Sequence, residues 1–165
     1  MKAYDEIRNM QPTDWEDVAR IYSQSIEKGT ATFVAKCPNY EQWDANHLHD
    51  CRLVCVKDNK VIGFAVLSPT SPRPHFWGVV EVSIYVDETY FQGGIGTALL
   101  TRLCAESEAH GYWTLYSSIF AENEASLALH KKCGFRVIGY RERIAKNIFG
   151  TWQDTIIVER RNNVE

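Results

Sequence analysis

Just past the middle of the chain, the eight residues Tyr90-Phe91-Gln92-Gly93-Gly94-Ile95-Gly96-Thr97 follow the β-rich run Val82 to Val86 and lead straight into an apolar helical stretch. Glycines at such a place let the backbone approach a ligand closely, and the free amides and positive end of the next helix favour an anion such as a pyrophosphate. Two familiar phosphate-binding schemes do not fit. A P-loop carries Lys before its Ser or Thr, whereas Gly96 is followed directly by Thr97. A dinucleotide fold places its glycine loop after the first strand, and this loop comes too late in the chain. What remains is a pyrophosphate-bearing cofactor held by backbone amides. The five cysteines, Cys37, Cys51, Cys55, Cys104 and Cys133, include no Cys-x-x-Cys pair and no recognisable nucleophile setting. They read as reduced structural thiols, with no metal site expected.

The elements that must position this loop follow from hydrophobic periodicity and turn chemistry. Ile7 to Met10 reads as a first strand, and Thr13 with Glu16 as a capping box that opens a helix striped by Trp15, Val18, Ile21, Tyr22 and Ile26. Asn39 with Gln42 caps a second helix running through Trp43 and Leu48 to about Asp50. Leu53 to Lys57 and Val61 to Leu67 form a hairpin about Asp58-Asn59-Lys60, and the proline-rich stretch Ser68 to His75 is an exposed loop. Val79 to Val86 is a strand, Thr97 to His110 a helix stopped by Gly111, Tyr112 to Phe120 a strand, and Asn123 to Cys133 a helix stopped by Gly134. Phe135 to Arg143 and Gln153 to Arg160 close the chain as two strands joined by a turn at Gly150. The tally is an α/β (α+β) domain, residues 1–165, with a mixed sheet of about seven strands flanked by about four helices.

Composition bounds the function. The chain has 165 residues, and 45% hydrophobic content supplies one core but not two. A formal charge of -3 argues against nucleic acid as the main partner. The longest apolar candidate, Arg52 to Leu67, is broken by Lys57, Asp58 and Lys60, so no membrane span is expected. The start of the chain lacks the apolar core of a secretory signal, which points to the cytoplasm.

Downstream of the glycine loop stands Asn123-Glu124-Ala125-Ser126-Leu127-Ala128-Leu129-His130-Lys131-Lys132-Cys133-Gly134-Phe135, and the two motifs together resemble the GNAT acyltransferase superfamily. Glu81-Val82-Ser83-Ile84-Tyr85-Val86, the stretch Ile26 to Phe33, and Gly150-Thr151-Trp152-Gln153-Asp154 are similar to its phosphinothricin and methionine sulfoximine N-acetyltransferase branch. The resemblance implies acetyl-CoA as cosubstrate, its pyrophosphate on Gln92, Gly93, Gly94, Ile95, Gly96 and Thr97 and its pantetheine along the backbone of Ile84, Tyr85 and Val86. Asn123 and Ser126 would reach the cofactor from the second motif, or serve as the cap and third residue of its helix. The family pattern puts Gln or Arg where this chain has Phe91, with Gln92 one residue later.

The resemblance also implies Glu81 as the base that deprotonates an amine, and His130 as the group that protonates the leaving thiolate or packs against the sheet. Phe33, Phe76, Trp77 and Tyr85 offer apolar walls for the acceptor, and Arg73 a planar fork for its carboxylate or phosphinate. The expected reaction is direct acetyl transfer to the α-amine of a small amino acid or analogue, in an enzyme that is a homodimer. Transfer to another kind of amine, or CoA binding without turnover, are the alternatives.

Overall fold

Asp58 and Asn59 both take positive φ, 50° and 61°, and close a two-residue turn in which Lys57 pairs with Lys60. That turn matches the right-handed twist of the strands it joins, β2 (Leu53–Lys57) and β3 (Lys60–Pro69). The computed structural model describes residues 2–91 and 93–165. Around this hairpin lie β1 (Glu6–Asn9), β4 (Val79–Val86), β5 (Thr114–Phe120), β6 (Arg136–Lys146) and β7 (Trp152–Arg161). Among the described residues they make one seven-stranded sheet in the order β1-β2-β3-β4-β5-β7-β6, antiparallel at every pair except β4 with β5.

Four helices among the described residues cover the sheet. On one face α1 (Trp15–Lys28) and α2 (Tyr40–Ala45) bring Val18, Ile21 and Trp43 onto Val54, Val56, Phe64 and Val66. On the other, α3 (Ile95–Ala109) and α4 (Glu124–Lys132) close over a larger core that includes Leu99, Leu100, Leu103, Leu115 and Phe135. A bulge in the hairpin serves both cores. Cys55 faces Gly63 while Val56 faces Val61, so Ile62 is an extra residue and the alternation of side chains inverts there. Val61, Phe64 and Val66 point to one core, and Ile62, Ala65 and Leu67 to the other.

Three boundaries differ from the sequence expectation, each because a tertiary partner takes over. Pro12 begins a short 3-10 turn, so Asp14 rather than Thr13 stands at the mouth of α1. Its carboxylate accepts from the Gln11 amide at 2.8 Å and holds the Arg8 guanidinium with both oxygens. Helix α2 begins with the expected Asn39 and Gln42 box but ends at Ala45. Beyond it, Arg52 draws in the carbonyls of Asp44, His47 and Leu48, and the Leu48 amide donates to Leu67 at 2.8 Å. Strand β6 runs on to Lys146 through a bulge, where Arg143 has φ 49° and donates its amide to Asp154.

Candidate active site

Strand β4 is covered along one edge by β3 from Val80 to Val86, but pairs with β5 only from Val79 to Glu81. Past Glu81 the two strands part. The backbone groups of Val82 to Val86 on that edge have no strand partner among the described residues, and a cavity of about 930 Å³ opens in the gap. Residues from both faces line it. Glu81, Ser83 and Tyr85 alternate with Val82, Ile84 and Val86 along β4, while Gly96 and Thr97 come from α3, and Asn123, Ser126 and His130 from the α4 segment.

One half of the cavity presents free backbone amides. Gly94 takes φ 73° and caps α3, whose first hydrogen bond runs from Ala98 to the Gly94 carbonyl, leaving the amides of Ile95, Gly96 and Thr97 free of helix partners among the described residues. A Cβ at Gly96 would lie 3.2 Å from Leu129 Cδ2, so the missing side chain lets α3 and α4 converge beside the cavity. Gly94, Gly96 and Thr97 line the space, whereas Gly93 faces Ala3 and the Ile95 side chain belongs to the core. The Gln92 expectation falls outside the described residues. Asn123 caps α4, accepting from the Ser126 amide at 3.2 Å, and both residues also line the cavity. Their structural and ligand-facing positions coincide.

His130 is 1% exposed and lies edge-on to Phe135. Its Nδ1 is 2.8 Å from the Ser126 carbonyl. A carbonyl only accepts, so Nδ1 carries the hydrogen and Nε2 the lone pair. Nε2 is buried with no partner among the described residues, and burial holds the imidazole below its ordinary pKa. A resting neutral ring has no proton at Nε2 to give. It must gain one before it could act as the acid that the resemblance implies.

The other half of the cavity is aromatic. The Phe33 ring lies 4.7 Å from Phe120, and Tyr85 stacks between Tyr22 at 5.1 Å and Phe64 at 5.4 Å. Burial pushes the Tyr85 and Tyr22 phenols up, so both remain protonated donors. Glu81 faces Tyr116 across the last paired rung of β4 and β5. Burial, and then the nearby Glu81 carboxylate, push the Tyr116 phenol up, so it keeps its proton. Arg73, Phe76 and Trp77, expected beside the acceptor, do not line this cavity. A 3-10 turn at Pro74–Phe76 carries the loop aside, and Trp77 packs edge-on against Tyr112 and Trp113.

Sequence reasoning missed four lining or neighbouring groups: Tyr22, read as core stripe, Tyr116, His47 and Lys28. Tyr22 alone carried a signal, since a phenol in an apolar stripe must find a partner for its hydroxyl. Lys28 ends α1, pairs with Glu88 at 3.1 Å and lies 4.6 Å from the centre of the Phe91 ring. Among the described residues no cysteine lines the cavity. Burial raises the Cys51, Cys55 and Cys104 thiols to about 12, 11 and 11, so they are not thiolates at neutral pH. Among the described residues no three His, Cys, Asp or Glu side chains are grouped to hold a metal, and no helix is long and apolar enough to cross a membrane.

A family profile described as acetyltransferase (GNAT) family matches residues 7–135, well over half of the chain. The chain belongs to the GNAT acetyltransferase family. Among relatives of this GNAT enzyme is the phosphinothricin N-acetyltransferase of Alcaligenes faecalis, 29% identical over 160 residues that cover 93% of this chain and 81% of that one. The L-methionine sulfoximine/L-methionine sulfone acetyltransferase of Salmonella typhimurium is 30% identical over 93% of this chain and 92% of its own. In structure, the phosphinothricin acetyltransferase of Sinorhizobium meliloti in complex with AcCoA superposes with a TM-score of 0.87 at 26% identity, covering 95% of this chain and 88% of that one. The ribosomal-protein-alanine N-acetyltransferase of Brucella melitensis reaches 0.88 at 30% identity, over 95% and 99%.

This GNAT domain is therefore an acetyl-CoA-dependent acetyltransferase. Its own residues fit that cosubstrate on three counts: an unpaired β4 edge, three helix amides behind a Gly94 turn, and an orphaned buried Nε2 on the same cavity.

Proposed function

We propose that the enzyme acetylates the α-amine of a small amino acid or amino-acid analogue, by direct transfer with both substrates in the cavity at once. The observation that carries this reading is the parting of β4 from β5 just past Glu81, which opens one cavity lined by Glu81, by the aromatic rings of Phe33 and Tyr85 and by the first turn of α3. The names of the relatives support the acceptor class. A lining without cysteine among the described residues favours transfer without an acetylated enzyme.

Acetyl-CoA supplies the acetyl group as an activated thioester. The free amides of α3 would hold its pyrophosphate, and the Ile84 to Val86 backbone would pair with the pantetheine as an added strand. One of the β4 amides, that of Tyr85 or Val86, would donate to the carbonyl oxygen as negative charge develops there. Glu81 takes the proton from the acceptor's ammonium, directly or through water, so that nitrogen can use its electron pair. His130 takes at Nε2 the second proton that the acceptor nitrogen loses as it becomes an amide, and passes it to the departing sulfur, a shuttle that suits a ring neutral at rest. Phe33 and Tyr85 form the apolar wall of the acceptor site.

A panel of amino acids, polyamines and aminoglycosides with acetyl-CoA, read by release of free thiol, tests the reading. Small amino acids, phosphinothricin and methionine sulfoximine should release thiol, and Glu81→Gln should reduce turnover by about 10²-fold or more while the protein stays folded. Release with polyamines alone would replace the acceptor, and binding without release would make the chain a CoA-binding module. We also infer a homodimer. Val137, Tyr140 and Phe149 are more than half exposed and Trp152 nearly half, on and beside β6 and β7, and size-exclusion with light scattering reads the mass.

A further inference from the structure

The acceptor half of the cavity holds a titratable group that the mechanism above leaves idle. His47 follows α2, and the bond from the Leu48 amide to Leu67 fixes this turn against the end of β3. The next residue of β3, Ser68, is the register partner of Glu81. Neighbouring strands are about 4.8 Å apart, so the His47 segment lies about two strand spacings from Glu81. All three residues line the same cavity. Along β4, Glu81 and Tyr85 alternate to one face, and Tyr85 packs with the core that Trp43 covers.

The His47 ring rests on Trp43, with ring centres 4.5 Å apart, and its Nδ1 is 2.6 Å from the Trp43 carbonyl. Nδ1 therefore carries the hydrogen, and Nε2 keeps a lone pair with no protein partner among the described residues. We propose that His47 is the proton acceptor behind Glu81, the group through which the amine's proton leaves the cavity. The proposal rests on the amine-acetylation reading.

The ammonium N–H bond breaks with its electron pair staying on nitrogen, and the proton moves to the Glu81 carboxylate. From there it crosses through water to His47 Nε2, and the imidazolium releases it to solvent. Burial holds the His47 ring below its ordinary pKa and Arg52 adds to that, while the Trp43 carbonyl and Asp44 oppose it. The other titratable neighbours are His49, paired with Asp44 at 3.7 Å, and Glu81 across the cavity. The balance leaves a neutral acceptor ready at working pH.

Two measurements decide it. Nitrogen-15 spectra of the free protein should show His47 as the Nδ1–H tautomer, titrating below an ordinary histidine. In the wild type, kcat/KM for the best amino acid should fall on the acid side with that same pKa. His47→Asn keeps a side-chain N–H for the Trp43 carbonyl and removes Nε2. It should fold with an unchanged melting temperature, lose about 10²-fold in kcat/KM, lose the acid limb, and recover with added imidazole. Glu81→Gln should lower the whole profile without moving that limb. Should His47→Asn lack a melting transition, His47→Gln carries the same test. A folded His47 variant with wild-type rate and limb overturns the proposal. A wild type that releases no thiol with any amine overturns instead the reading beneath it, and the spectra still report the tautomer.

Discussion

At the scale of single residues, a motif can single out a side chain but not which of its atoms holds a proton. His130 is legible in the sequence from its place in the Asn123 to Phe135 run. Its tautomer is not, because that follows from the bond between Nδ1 and the Ser126 carbonyl and from the burial of Nε2. The same facts make a stability prediction. A buried histidine held below its ordinary pKa binds fewer protons folded than unfolded, so it costs stability as pH falls below the unfolded value near 6.5 and costs nothing above it. His130→Phe, set beside Phe135, removes that penalty. Thermal unfolding at pH 7 and pH 5 should show the variant losing less stability than the wild type over that interval, while turnover at pH 7 falls about 10- to 10²-fold. An equal loss on acidification in both proteins would mean that the ring takes up its proton as readily folded as unfolded.

At the scale of elements, strand and helix positions follow from periodicity and caps, whereas the ties between distant elements are silent in one sequence. Arg20 on α1 and Asp87 after β4 are 67 residues apart, and nothing local marks them as a pair. Arg20 also donates to the Val61 carbonyl at 3.1 Å, and Gln24 accepts from the Glu88 amide at 3.2 Å, so α1 is anchored to the segment that leads into the glycine loop. Burial would raise Asp87, but the Arg20 guanidinium and the Thr89 amide outweigh it and hold the carboxyl below its usual range. Such a group stabilises the fold fully above its unfolded pKa, near 3.9, and loses that contribution as pH falls through the folded value. Asp87→Asn should therefore cost about 2 kcal/mol at pH 7, and the difference from wild type should shrink in urea unfolding near pH 3. A constant difference at both pH values would assign the cost to packing instead of charge.

At the scale of the whole molecule, a chain of net charge -3 must attract a cofactor that carries phosphates. In the proposed reading the helix amides beside the gap between β4 and β5 do this locally, and the gap could not be read from the sequence because both strands look continuous to their ends. The side chain at position 91 shows how the cations are arranged. The resembling pattern has Gln or Arg there, and Phe91 instead holds the Lys28 ammonium over its ring, both of them on the wall of the same cavity as Gly94 and Thr97. Glu88 shares that lysine, so its charge is partly offset, and a phosphate would compete with the carboxylate for it. An exposed contact of this kind is worth about 0.5–1 kcal/mol, or roughly two- to five-fold in affinity. Calorimetry with CoA should find Lys28→Met and Phe91→Ala each weaker by about that factor, with the double variant little worse than either, since both remove one interaction. The salt dependence of binding should flatten with Lys28→Met, because one fewer cation meets the phosphates. Additive losses, or a salt dependence unchanged by Lys28→Met, would leave the helix amides as the sole source of attraction and Phe91 as a plain apolar replacement in the loop.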